Sequence, residues 1–100
     1  MFVHVVLWKI AEPESGETKD QLIGRIMERM HQLPALIPQI KSIKLGADVL
    51  HTPSSYDLGL VVTFDSKEDF LIYRDHPDHL KVGQLISGIA IERASIDFIE

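Results

Sequence analysis

Nine residues near the start, Phe2-Val3-His4-Val5-Val6-Leu7-Trp8-Lys9-Ile10, are mostly β-branched or aromatic and read as a strand that is apolar on both faces. Side chains alternate along a strand. His4, Val6, Trp8 and Ile10 therefore share one face, and Val3, Val5 and Leu7 share the other. Such a strand needs cover on both sides, and that requirement limits the folds open to a chain of 100 residues.

The remaining elements decide how much cover the chain itself supplies. Ala11 to Gly16 is a loop. Thr18 and Gln21 form a capping box that opens a helix, and Leu22, Ile23, Ile26, Met27, Met30 and Leu33 follow helical spacing. Pro34 ends the regular helix after a distorted last turn, and Pro38 starts the exit. Ile40, Ile43, Leu45 and Ala47 mark a second strand, with Gly46 as a bulge. Residues 51–55 form a loop, and Tyr56 to Phe64 a third strand. Ser66 and Asp69 cap a second helix carrying Phe70, Leu71 and Tyr73. Pro77 suits the first turn of a new helix, so Asp75 to Ser87 bends and restarts. Ile89 to Ile99 is the last strand. Ile89 and Ile91 mark one face of it and Ala94, Ile96 and Phe98 the other, which calls for a bulge between them. The order β-α-β-β-α-β predicts a single α+β domain over residues 1–100 with a ferredoxin-like fold: a four-stranded antiparallel sheet with both helices on one face.

Two helices on one face leave Val3, Val5, Leu7 and Val61 turned to water. Burying each such side chain is worth about 1.5–3 kcal/mol, and an exposed apolar patch of this kind marks an interface. The expected assembly is a homodimer, sheet against sheet, with the helices outside. The alternative is a monomer with one partly apolar sheet face.

Charge and composition exclude several functions. A net charge of −5, with Lys and Arg scattered, leaves no basic patch for nucleic acid. With no cysteine there is neither disulfide nor thiolate chemistry. No apolar run approaches a membrane span, and the first residues do not read as a signal peptide, so a cytoplasmic protein is expected. There is no glycine-rich phosphate loop, nucleophile elbow or nucleotide fingerprint, and no organic cofactor is expected.

The chemistry-bearing residues concentrate in Tyr73-Arg74-Asp75-His76-Pro77-Asp78-His79, a run holding one of two tyrosines and two of five histidines. An imidazole exchanges protons near neutral pH, so His79 can act as general base. Tyr73 can donate a hydrogen bond to a developing oxyanion. The bland reading makes His79 a helix cap and Tyr73 a core residue with its hydroxyl at the rim. Six positions separate the two, so they meet only if Pro77 bends the path. His76 lies three residues before His79 and is placed with it among ligand contacts; its alternative is to start the helix turn. His4, His76 and His79 could together supply three zinc ligands, but the spacing of a zinc site is missing and no metal is expected. His4 within an apolar strand reads either as a satisfied core histidine or as an orienting group. Trp8 shares its face and walls the same space or packs as plain core. Arg93 either pairs with Glu92 at the surface or presents its guanidinium to an anionic ligand inside.

Several blocks together resemble the stress-responsive α/β-barrel (Dabb) domains. They are Val3 to Lys9, Leu36-Ile37-Pro38-Gln39-Ile40-Lys41-Ser42-Ile43 followed by Gly46, Ser55-Tyr56-Asp57-Leu58, Phe64-Asp65-Ser66 and the Tyr73–His79 run. The resemblance implies a dimeric α/β barrel formed by pairing of two sheets. Some plant relatives cyclise linear polyketides by an intramolecular aldol reaction without metal or organic cofactor. For this chain that implies a pocket between sheet and helices into which His4, Tyr73 and His79 point, walled by Val6, Trp8 and Leu60. The chain departs from those cyclases at Leu58, where they carry a histidine, and at Arg93 and Ser95, where they are apolar. Related ferredoxin-like dimers include cofactor-free monooxygenases and lactone isomerases. The implied function is a cofactor-independent lyase, cyclase or isomerase acting by proton transfer on a small carbonyl compound. Its alternative is a stress-related structural or ligand-binding homodimer without catalysis.

Overall fold

The computed structural model describes residues 1–100. The elements are β1 (Phe2–Ile10), α1 (Lys19–His31), a one-turn α2 (Leu33–Leu36), β2 (Ser42–Ala47), β3 (Leu58–Phe64), α3 (Lys67–Asp75), α4 (Pro77–Ser87) and β4 (Ala90–Ile99). The four strands form one sheet in the order β2-β3-β1-β4, each pair antiparallel. This is the ferredoxin-like arrangement, with each crossover helix broken once at a proline. In the first crossover Pro34 stands in the opening turn of α2.

Capping sets the helix starts. The Thr18 hydroxyl accepts from the Gln21 N–H, and the Gln21 side chain accepts from the Thr18 N–H, so two otherwise orphaned donors are satisfied. Thr18→Ala is expected to lower stability by about 1 kcal/mol, read as an earlier midpoint in urea unfolding. Ser66 caps α3 in the same way through the Asp69 N–H.

One face of the sheet packs against the helices. Val6, Trp8, Leu60, Val62 and Phe64 from the strands meet Ile23, Ile26 and Met30 of α1, Tyr73 of α3, and Val82 and Ile86 of α4 in a continuous core. The sheet differs from expectation in three places. Gly46 is not bulged: it pairs in regular register with Gly59. The glycine matters on the partner strand, where a Cβ at Gly59 would lie 3.3 Å from Leu7 Cδ2. Ile40 lies outside β2, and its N–H bonds to the Ile37 carbonyl instead. Tyr56 and Asp57 lie outside β3; the Asp57 carboxylate accepts the Ile10 N–H at 2.7 Å and so ends the pairing there. The bulge in the last strand is present, with Lys9 opposite Glu92 but Ile10 opposite Ala90, leaving Ile91 as the extra residue.

The outer face also needs a correction. Val3 is only 4% exposed, because its cross-strand neighbours Thr63 and Phe98 flank it, so it has little left to offer a partner. Val5 and Val61 are half-buried. Leu7 is exposed as expected, at 38%, and the rest of the apolar surface is carried by Ile96 at 60% and Phe98 at 43%.

Candidate active site

The break between α3 and α4 assembles the site. A residue before proline disfavours the helical region, and His76 is extended, with φ −68° and ψ 136°. Pro77 then fills the first position of α4, where its missing N–H costs nothing. The His76 ring accepts the Asp78 N–H at 3.1 Å, making it the cap of α4. His76 does not line the cavity, so its expected place among ligand contacts is not observed. The capping bond holds its ring at the helix start.

Restarting the helix folds His79 back over the end of α3. Its Nδ1 lies 3.0 Å from the Arg74 carbonyl oxygen. A carbonyl only accepts, so Nδ1 carries the proton and Nε2 keeps its lone pair. The imidazole packs on Tyr73 with ring centroids 4.2 Å apart, across six residues that no straight helix would bring together. Tyr73 is 1% exposed and packs on Phe64 at 5.1 Å. On the sheet, His4 lies with its ring centroid 6.3 Å from that of Tyr73 and 4.9 Å from that of Phe70. Asp97, opposite His4 in the β1–β4 register, hydrogen-bonds the His4 Nδ1 and fixes the ring.

These residues surround a cavity of about 640 Å³ between the sheet and the helices. His4, Val6, Trp8, Leu60, Tyr73 and His79 all line it. Met30, Val82 and Ile86 close its helical side. Arg93, Ser95 and Asp97 form a polar wall on β4, the edge strand. No group of three or more His, Cys, Asp or Glu side chains is placed to hold a metal ion, and His76 is not among the residues lining the cavity.

The electrostatics give the two central groups complementary states. Burial pushes the Tyr73 hydroxyl up to about 12, against a smaller opposing pull from the Arg93 charge, so it stays protonated at neutral pH. That hydroxyl makes no hydrogen bond within the chain, yet no sealed side-chain polar atom lacks a partner, so it opens onto the cavity. Burial lowers the His79 pKa below the usual histidine value; the Arg74 carbonyl opposes this, and the His4 and Arg93 charges add to it. His79 is therefore neutral at pH 7 with a free Nε2. A neutral base and a protonated donor against one cavity form an arrangement for acid–base chemistry.

Sequence reasoning did not single out Asp97, Arg74 or Phe70 for this site. Asp97 was detectable: the alternation of Ala94, Ile96 and Phe98 on one face of β4 puts Arg93, Ser95 and Asp97 on the other.

The sequence pattern of the stress-responsive A/B barrel domain, Dabb, matches residues 2–100. The chain belongs to this family. Its Dabb domain is similar to a dimeric ferredoxin-like protein of unknown function from Thermobifida fusca, at 28% identity and a TM-score of 0.82, over 99% of this chain and 90% of that one. A dimeric protein of unknown function with a ferredoxin-like fold from Bacteroides fragilis is similar at 25% identity and a TM-score of 0.81, over 99% of this chain and 95% of the other. The hydroxynitrile lyase from Passiflora edulis shares the fold at 19% identity and a TM-score of 0.81, over 99% of the Dabb chain and 92% of the lyase. No curated protein sequence matches the chain. No helix is long and apolar enough to cross a membrane.

Proposed function

We propose that this Dabb domain is a cofactor-independent enzyme that moves a proton next to the carbonyl group of a small organic compound. The observation that carries the reading is the packing of the His79 ring on Tyr73 at one cavity, with Nδ1 turned to the Arg74 carbonyl and Nε2 left free. In the proposed step a C–H bond adjacent to the carbonyl breaks, and His79 Nε2 takes the proton. The electron pair forms a carbon–carbon double bond as the carbonyl π pair moves to oxygen. The Tyr73 hydroxyl donates to that oxygen as its charge develops. His4, held by Asp97, orients the group at the sheet side. Returning the proton to a different carbon gives isomerisation, and attack of the enolate carbon on a second carbonyl gives cyclisation. Val6, Trp8 and Leu60 supply apolar walls that exclude water. That a lyase is built on the same fold supports the reading by analogy only.

The test is incorporation of deuterium from D₂O next to the carbonyl of small ketones, followed by NMR. Wild-type protein is expected to accelerate exchange. Tyr73→Phe, which keeps the packed ring, is expected to slow it about 10²-fold. Equal exchange by the two proteins would overturn the role given to the hydroxyl.

We also propose that the domain works as a homodimer through the outer sheet face, with Leu7, Ile96 and Phe98 at the centre and Val5 and Val61 beside them. Their exposure on one flat face and the dimeric neighbours support this.

A further inference from the structure

Besides its histidines, the cavity is lined by four charged residues: Arg74, Glu92, Arg93 and Asp97. Three of them already have counter-charges. Arg74 grips Asp75 with two N–H donors, at 3.0 and 3.2 Å. Glu92 lies 3.5 Å from Lys9 Nζ, and Asp97 meets His4. Arg93 has no carboxylate partner; its one side-chain hydrogen bond is a long one, 3.4 Å, to the Ser95 hydroxyl. The β1–β4 register sets Arg93 opposite Trp8, on the same sheet face as His4 and Val6. Its charge reaches both reacting groups: it partly offsets the rise that burial gives the Tyr73 pKa and adds to the fall that burial gives the His79 pKa. In a chain of net charge −5, an unpaired guanidinium at a cavity stands out. A guanidinium is planar, permanently charged and matched to a carboxylate by two parallel hydrogen bonds.

We propose that Arg93 anchors a substrate carboxylate, so that the compound bound here is an oxo acid with its carboxylate on β4 and its carbonyl oxygen at Tyr73. The placement of the carbonyl rests on the proton-transfer reading above, whereas the carboxylate anchor rests on Arg93 alone. A cavity of about 640 Å³ leaves room for a spacer between the two groups, so acids whose carbonyl stands several carbons from the carboxylate are the appropriate probes.

The experiment compares 4-oxopentanoate and 5-oxohexanoate with their methyl esters, which keep the carbonyl and lose the charge. Binding is read from the fluorescence of Trp8, the single tryptophan, which lines the cavity. Exchange next to the carbonyl is read separately by NMR. At least one acid is expected to bind the wild type about tenfold or more tighter than its ester, with Arg93→Gln erasing that preference and Arg93→Lys restoring part of it. Arg93 is exposed on an edge strand, so neither substitution threatens folding. Equal binding of acid and ester, a preference that survives in Arg93→Gln, or no binding of either acid would overturn the anchor. Arg93-dependent acid binding without exchange would support the anchor and sink the proton-transfer reading. Exchange that is as fast on esters as on acids would sink the anchor alone.

Discussion

His79→Ala is expected to slow carbonyl-adjacent proton exchange by about 10²–10⁴-fold, with the circular dichroism spectrum unchanged. The size follows from what the substitution removes: the base itself, leaving Tyr73 and the cavity in place. The pH dependence carries a sign that separates His79 from an ordinary surface histidine. The groups around its ring are the Arg74 carbonyl, Asp75, His4 and Arg93, and the net effect, led by burial, lowers its pKa. The base is neutral above that pKa and protonated below it. The midpoint of the acid limb is therefore expected below 6.5, the ordinary histidine value, with activity declining as pH falls through it. Tyr73, pushed up to about 12, stays a donor across that range. An acid limb centred at or above pH 7 would contradict a desolvated His79.

Leu7→Asp combined with Ile96→Asp is expected to convert the dimer to a folded monomer. Both side chains are exposed in the single chain, at 38% and 60%, so a charge there leaves the monomer's own core intact. In a two-fold sheet-to-sheet interface each change occurs twice. An unpaired carboxylate buried in an apolar contact costs several kcal/mol, so the dissociation constant is expected to rise by about 10³ or more. Sedimentation velocity reads the change directly. A double variant that stays dimeric would place the interface elsewhere.

Much of this was legible in residue types and spacing. The Thr18 and Ser66 caps, the helical stripe of Leu22 to Leu33 and the strand alternation of β1 place the helices on the His4–Val6–Trp8 face, which is where the cavity lies. Pro77 announced a break, and the break does bring His79 onto Tyr73. What was not legible depends on register. The Ile91 bulge changes which β4 side chains face inward, and the pairing of His4 with Asp97 follows only once that register is set. Val3 was misplaced for a related reason. Alternation assigns a face, but cover by cross-strand neighbours such as Phe98 is a property of the assembled sheet. Of the two readings open to His76, the helix start is the one observed: its place before Pro77 makes it the cap of α4, and it does not line the cavity.

The most direct test of the proton-transfer function is the protonation state of His79 itself, which needs no substrate. Long-range ¹⁵N–¹H NMR of the histidine side chains, with His79 assigned by loss of its signals in His79→Ala, reports tautomer and titration together. A neutral ring protonated on Nδ1 at pH 7, titrating below 6.5, is the expected result. A ring protonated on Nε2, or one still charged at pH 7, would leave the cavity without its base and contradict the proton-transfer function.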